Sequence, residues 1–185
     1  MSEISEVMID LETMSLNPDA SILTIGAVKF NRKKRVRTIK NMDTFYRRIT
    51  ISSCEKAGLH VDPENINWWK NQSAEAIYEA IEHPDRVPIK QALVEFSEWF
   101  GDSELIWANG DDFDCVILAS AYKACKIPVP WKFWNTRDVR TILDIAGVNL
   151  KDMPPPKVLH HALYDAYRQV LAVREAFKRI RVDTD

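Results

Sequence analysis

Three apolar segments in the first fifty residues have the hydrophobic pattern of β-strands. Residues 7–11 form a short apolar run that ends at acidic residues, which is typical of a buried strand. Residues 21–30 are rich in Ile, Leu and Val, and residues 44–50 alternate well enough for a third strand. Because the connections between them are short, the pattern predicts an antiparallel meander.

The rest of the chain is predicted to be mostly helical, with one further buried strand at residues 105–108. Helix-starting residues and apolar residues at helical spacing delimit the helices. The predicted helices occupy residues 64–70, 73–81, 88–100, 138–146 and 161–179, and another runs from Asp111 or Asp112 to Ala124. This order predicts an α/β fold with a central mixed β-sheet flanked by helices. We expect one domain over residues 1–180 and a frayed C-terminal tail at residues 181–185.

The composition is that of an ordinary globular protein, with 46% hydrophobic and 28% charged residues among 185. No apolar run approaches the roughly 20 residues that span a membrane, so we expect no membrane partner. The polar, acidic N-terminus does not resemble a signal peptide. The cysteines, Cys54, Cys115 and Cys125, have no zinc-binding spacing. They indicate free thiols, and therefore a cytoplasmic location.

The net charge of −2 limits how this protein would bind nucleic acid. A protein that grips a long duplex by its phosphates is usually basic. A nucleic-acid substrate would therefore have a small footprint here, with metal ions supplying much of the positive charge. The basic stretch at residues 32–37 is a local exception. It is either a solvated hairpin end, which we favour, or a phosphate-contacting patch.

Acidic residues from three distant segments are the candidate chemistry of the chain. Asp10 and Glu12 are two apart at the end of a predicted strand, so both side chains point to one face. Asp114 lies in the first turns of a predicted helix beside apolar residues. Asp165 lies in the last helix among small and apolar residues, where a carboxylate is costly unless it is paired or metal-bound. Together they indicate a site for hard divalent cations and metal-assisted hydrolysis of a phosphodiester.

Two adjacent histidines precede Asp165, and spacing alone leaves the choice between them open. Five residues along a helix turn through about 500°, so His160 and Asp165 would point in different directions if both were helical. His161, four residues before Asp165, would share its face. A general base at His160 requires a loop before the helix, and the proline-rich segment at residues 153–156 permits one.

The ordered set D-x-E, Asp and H-x4-D resembles the DEDDh 3′–5′ exonucleases, a superfamily with a ribonuclease-H-like fold. It includes proofreading exonuclease subunits, ribonuclease T and oligoribonuclease. Here the set is Asp10-Leu11-Glu12, Asp114 and His160-x4-Asp165. Two further strings, at residues 68–72 and 133–141, resemble the phage DexA-type exonucleases and related small bacterial exoribonuclease-like proteins. The resemblance spans nearly the whole chain.

The resemblance implies a catalytic set of Asp10, Glu12, Asp114, His160 and Asp165 with two Mg²⁺ or Mn²⁺ ions. By analogy Asp10 bridges the ions, Glu12 and Asp165 hold the ion that carries the attacking water, and Asp114 holds the second ion. The family places the general base at His160, whereas spacing favoured His161. The implied substrate is the 3′ end of single-stranded DNA or RNA, and the implied product is a nucleoside 5′-monophosphate.

Several residues are candidates for holding the substrate, each with a structural alternative. Residues just after Glu12 lie where family members hold the terminal nucleotide, although a simple turn also explains them. A tryptophan pair can stack on bases, yet core packing is the better explanation for at least one of Trp68 and Trp69. Arg137 or Arg140 would contact a phosphate, although Asp138 or Asp144 would equally pair with either. The substrate-binding candidates are Thr13, Met14, Leu16, Asn109, Trp69 and Arg137.

Two other functions are compatible with the same residues. One is a non-catalytic nucleic-acid-binding relative, which need not keep all five residues of the set. The other is an accessory subunit of a polymerase. The sequence does not decide between DNA and RNA, and its many Trp and Phe residues leave room for a homodimer.

Overall fold

The computed structural model describes residues 5–34 and 38–180. The predicted C-terminal tail and residues 35–37 of the basic stretch lie outside these ranges. Within them, no helix is both long enough and apolar enough to cross a bilayer.

A five-stranded mixed sheet forms the centre of the molecule, in the order β3-β2-β1-β4-β5. Its strands are β1 (Glu6–Thr13), β2 (Ile22–Phe30), β3 (Thr44–Arg48), β4 (Leu105–Ala108) and β5 (Thr136–Asp138). The first three pair antiparallel, as the meander predicted, while β4 pairs parallel to β1 and β5 parallel to β4. The predicted mixed sheet is therefore confirmed.

Helices cover both faces of this sheet. They are α1 (Ile51–Lys56), α2 (Pro63–Lys70), α3 (Ala74–Ile77), α4 (Ile89–Phe100), α5 (Asp114–Ala124), α6 (Val139–Ala146) and α7 (Ala162–Arg179). A π-helical turn, Tyr78–Glu82, extends α3. One apolar core packs β1 to β4 against α1, α4 and α5, and a second packs the opposite face against α6 and α7.

The alternation of β1 decides which face receives its acids. Val7 and Ile9 point into the core under α4 and α5, whereas Met8 points into the core under α7. Asp10 and Glu12 follow Met8 by two and four residues, so their side chains point to the same side of the sheet, the α7 face. The strand ends there, so the two carboxylates lie beyond the apolar part of the core.

Gly26 lets the start of α7 approach this face closely. It is the β2 partner of Asp10, and a Cβ on it would lie 2.2 Å from the Leu163 backbone nitrogen. Only a residue without a side chain fits at such a separation. The close approach brings the first turn of α7, with Asp165, next to the end of β1.

The structure corrects the predicted start of one helix and adds two short elements. Helix α5 begins at Asp114, not at Asp111 or Asp112, because a turn closed by the Phe113 N–H on the Gly110 carbonyl comes first. Gly110 has φ +102°, which favours glycine. The helix α1 and the strand β5 were not predicted, and they have only six and three residues. The side chains of Asp62 and Ser73 cap α2 and α3 by accepting hydrogen bonds from backbone N–H groups.

Candidate active site

Three of the four acidic residues converge where β1 meets the first turn of α7. One carboxylate oxygen each of Asp10, Glu12 and Asp165 lies within 4.8 Å of the others. Asp10 and Asp165 are 155 positions apart in the chain and yet lie side by side. The alternation of side chains along β1 and the close approach of α7 at Gly26 bring them together. Such a group of oxygen ligands is what a hard divalent cation requires.

Asp114 approaches the same site from the start of α5. Its carboxylate accepts a hydrogen bond of 3.0 Å from the Leu11 backbone N–H, between the two acids of β1. The side chain is only 5% exposed, so this bond fixes its orientation. Asp114 is not within the 4.8 Å group, but its charge acts on both Asp10 and Glu12. It is therefore the outer member of a four-carboxylate cluster.

Burial and mutual repulsion raise the pKa values of these acids. Burial contributes most for Asp10, whose pKa is far above the ordinary range, and the charges of Asp114, Glu12 and Asp165 add to it. Burial, followed by the charges of Asp165 and Asp114, raises the pKa of Glu12 to about 8. Burial likewise raises the pKa of Asp114 to about 7 and that of Asp165 above its usual value. The charges of Arg140 on Asp114 and of Arg168 on Asp165 oppose these shifts but do not cancel them, so the protein alone does not keep the cluster fully ionised.

Gln169 is part of the site, and the sequence analysis missed it. Its Nε2 donates a 2.7 Å hydrogen bond to Asp10 Oδ1, and its side chain is 3% exposed. Its buried Oε1 has no hydrogen-bond partner among the described residues. Gln169 follows Asp165 by four positions on α7 and so shares its face. That spacing was a usable signal, because a buried amide needs a partner.

His160 lies just before α7 and opens onto the cluster. Its backbone has φ +55°, an unusual conformation for a residue with a side chain. The imidazole packs edge-on against Trp68, with ring centroids 5.0 Å apart, and lines the same cleft as the three converging acids. The loop position that a base at this residue requires is therefore present.

His161 points into the protein instead of into the cleft. Its ring stacks on Tyr46 at 4.6 Å and 21°, and its Nε2 lies 3.6 Å from Glu79 Oε1. Burial lowers the pKa of this imidazole. His161 occupies the N-cap of α7 with non-helical backbone angles, so the helical spacing that favoured it as the companion of Asp165 does not apply. The structure gives it a packing environment.

The cleft above the cluster has a volume of about 360 Å³. Asn109, one of the candidate substrate residues, lines it after the end of β4. Leu16 is 72% exposed on the loop after β1. Leu159 and Arg168 also line the cleft and were not among the candidates.

The other four candidate substrate residues are engaged elsewhere. Thr13 donates its hydroxyl to the Ser15 carbonyl, and Met14 is buried. Trp69 is 2% exposed and donates its Nε1–H to the Thr13 carbonyl, so its ring packs in the core and supports the loop after β1. Trp68 is the exposed member of the pair, at 44%. Arg137, on β5, donates to backbone carbonyls near its own position and does not line the cleft.

Comparison with known proteins agrees with this geometry. Residues 5–177 match the family described as the 3′-5′ exoribonuclease Rv2179c-like domain. An exodeoxyribonuclease of enterobacteria phage T4 is 25% identical over 206 residues, which cover 94% of this chain and 89% of that protein.

Solved structures share the fold at low sequence identity. The zinc-bound E. coli ExoI–ssDNA complex superposes with a TM-score of 0.67 at 12% identity, over 98% of this chain and 42% of that one. Cell-death related nuclease 4 gives a TM-score of 0.58 at 12% identity, over 94% of this chain and 64% of that one. The chain thus spans less than half the length of ExoI.

The family match defines the class as a 3′–5′ exonuclease, as the resemblance to DEDDh exonucleases implied. The chain belongs to the Rv2179c-like family of 3′–5′ exonucleases.

The raised pKa values predict how the metal-free protein responds to pH. Glu12 and Asp114 have folded-state pKa values of about 8 and 7, above their ordinary values of 4.5 and 3.8. Their contribution to stability is therefore complete below about pH 4 and is lost progressively as the pH rises from about 4 through the folded-state values of about 7 and 8. In EDTA, the Tm should fall over this range, and Asp10→Asn should raise it at pH 8 by removing one repelling charge.

Thermal unfolding followed by intrinsic fluorescence checks this, with the exposed Asp102→Asn as the control. Mg²⁺ should raise the Tm of the wild type at pH 8 more than that of Asp10→Asn. An Asp10→Asn protein that is less stable than the wild type in EDTA at pH 8 would contradict the charge-repulsion account.

Proposed function

We propose that the protein removes nucleoside 5′-monophosphates from the 3′ end of single-stranded nucleic acid, using two divalent metal ions, Mg²⁺ or Mn²⁺, and a histidine base. The observation that carries this proposal is the convergence of Asp10, Glu12 and Asp165 within 4.8 Å at one end of an exposed cleft. The family membership supports the 3′-to-5′ direction.

The donor set fits the proposed ions. All four acidic side chains offer oxygen ligands. Their pKa values stay raised although the Arg140 charge acts on Asp114 and the Arg168 charge acts on Asp165. Asp10 would be the central ligand of the site, because the charges of the three other acids all act on it. Glu12 and Asp165 would hold one ion with it, and Asp114 would hold the other. When bound, two such ions stabilise the entering and leaving oxygens of an in-line displacement.

Gln169 orients the central ligand. Its Nε2–H donates to Asp10 Oδ1 and makes no bond to Oδ2 of the same carboxylate. The Leu11 N–H does the same for Asp114 by binding Oδ1. These two contacts fix the carboxylates before a cation arrives, which lowers the conformational cost of binding.

His160 is assigned the general base. It lies on the cleft wall that the acids also line, and the Trp68 ring limits its movement. A neutral imidazole there accepts the proton of the attacking water, and a positioned base of this kind contributes about 10²–10⁴-fold. The buried, Tyr46-stacked His161 is assigned no chemical role.

The substrate is assigned as single-stranded 3′ ends without a choice of sugar. The matching family is described by exoribonuclease activity, the phage T4 relative is named an exodeoxyribonuclease, and ExoI was solved with ssDNA. Asn109 and the exposed Leu16 remain the proposed contacts to the terminal nucleotide.

Digestion of matched 3′-labelled and 5′-labelled single-stranded DNA and RNA tests the proposal. With Mg²⁺, we expect the 3′ label to leave at once as a mononucleotide and the 5′-labelled strand to shorten progressively. EDTA or Asp10→Ala should abolish both. Binding without Mg²⁺-dependent cleavage, or release of the 5′ label first, would overturn the proposal, and the relative rates on the two sugars assign the substrate.

The two histidines should differ in kinetics and stability. His160→Ala should lower kcat by about 10²–10⁴-fold with little change in Tm, because it removes a base from a partly exposed position. His161→Ala should lower the Tm while kcat stays close to wild type, because it removes a buried ring from Tyr46. Steady-state assays below the Tm of each variant measure both effects. The reverse pattern would move the base to His161.

A further inference from the structure

We propose that a second groove, continuous with the active cleft, binds the phosphodiester backbone of the substrate strand upstream of the scissile bond. This inference rests on the proposed function, since it concerns the path of that same substrate.

The second groove lies beside the active cleft and shares part of its wall. It has a volume of about 660 Å³ and runs between α6, the segment at residues 147–151 and α7. Asn109, Leu150 and Arg168 line both the cleft and the groove. A strand whose end lies over the acidic cluster can therefore continue into the groove without crossing a separate ridge.

The groove has the opposite charge to the cleft. Arg140, Lys151 and Arg168 line it together with one acid, Asp144. Because the whole chain has a net charge of −2, this local excess of cations is not a background property. An acidic cluster that holds metal ions beside a cationic groove suits a substrate with a negative charge on every nucleotide.

Arg168 marks the boundary between the two charge environments. It follows Asp165 by three residues on α7, so one helix supplies an acid to the cleft and a cation to the shared wall. Its Nη2 donates a 3.0 Å bond to the Leu150 carbonyl, which holds the guanidinium at that wall. Its Nε is buried, and no described residue accepts from it.

Arg140 is held at the same junction from α6. Its guanidinium packs so closely on Gly110 that a Cβ at that position would lie 2.9 Å from it. Gly110 follows Asn109, the third residue shared by the two depressions. The charge is thus fixed where the strand would leave the cleft. Contacts of this type to phosphate oxygens position a strand without reading its sequence.

Lys151 is the groove cation best suited to a test. It is exposed, it does not line the active cleft, and it belongs to a short 3₁₀ turn, Leu150–Asp152. Lys151→Gln removes the charge and keeps most of the length of the side chain. Arg140→Gln is the second variant, and Lys56→Gln, at an exposed position on α1 outside both depressions, is the control.

Two substrates separate upstream binding from chemistry. A single-stranded decanucleotide has upstream phosphates, whereas the p-nitrophenyl ester of thymidine 5′-monophosphate has none. We expect Lys151→Gln to raise KM for the decanucleotide about three- to fivefold with kcat unchanged, and the double variant to raise KM further. Both constants of Lys151→Gln for the ester should match those of the control. Because the Arg140 charge also acts on Asp114, Arg140→Gln should raise the decanucleotide KM more than it changes either constant for the ester. The salt dependence of log KM for the decanucleotide should weaken by about 0.7 per lost contact.

The possible failures are distinguishable. If the wild type cleaves both substrates and Lys151→Gln leaves the decanucleotide KM at the control value, the groove is not on the substrate path and the proposed function stands. Equal losses on both substrates in both variants would also overturn the inference, because they indicate a general effect on the active cleft. If the wild type cleaves neither substrate with Mg²⁺, the proposed function itself fails.

Discussion

The burial of Asp10, Glu12, Asp114 and Asp165 in one cluster is the constraint on which the rest of the structure depends. Each of these acids has a raised pKa because the fold removes it from water, and for Asp10 and Glu12 the charges of the neighbouring acids add to this effect. Such a cluster opposes folding unless the remaining structure enforces it. The enforcement comes from an apolar sheet that carries two of the acids, the starts of two helices that carry the others, and a glycine that lets α7 approach β2. The buried acids lower the stability of the metal-free protein, and the same acids favour the binding of divalent cations.

The start of α7 shows how this enforcement separates adjacent residues. His160, at φ +55°, turns toward the cleft, while His161 turns into the protein and packs on Tyr46 beside Glu79. The buried ring anchors the helix start that its exposed neighbour needs. Asp165 then follows one turn later, on the face that Gln169 also occupies. A single helix start thus positions a candidate base, a candidate metal ligand and a residue that hydrogen-bonds a second candidate ligand.

Much of the fold could be predicted from the sequence because hydrophobic alternation is a local signal. The acidic set could be predicted because its motifs occur in a fixed order along the chain. The meander came from hydrophobic alternation, and D-x-E, Asp and H-x4-D came from a resemblance that the family match confirms. The spacing that favoured His161 assumed that this residue is helical, whereas α7 begins one residue after it. Trp69 was assigned to substrate, yet its N–H bond to the Thr13 carbonyl depends on a contact between residues 56 positions apart. Gln169 and the groove of Arg140, Lys151 and Arg168 likewise arise from tertiary packing.

The most direct test of the central claim is a crystal structure of the protein grown with Mn²⁺ and a nucleoside 5′-monophosphate, with anomalous diffraction used to locate manganese. The account predicts two manganese peaks in the acidic cluster, both in contact with Asp10, with Glu12 and Asp165 on one ion and Asp114 on the side of the other. A cluster without manganese, in which the carboxylates are instead neutralised by protein side chains, would contradict it.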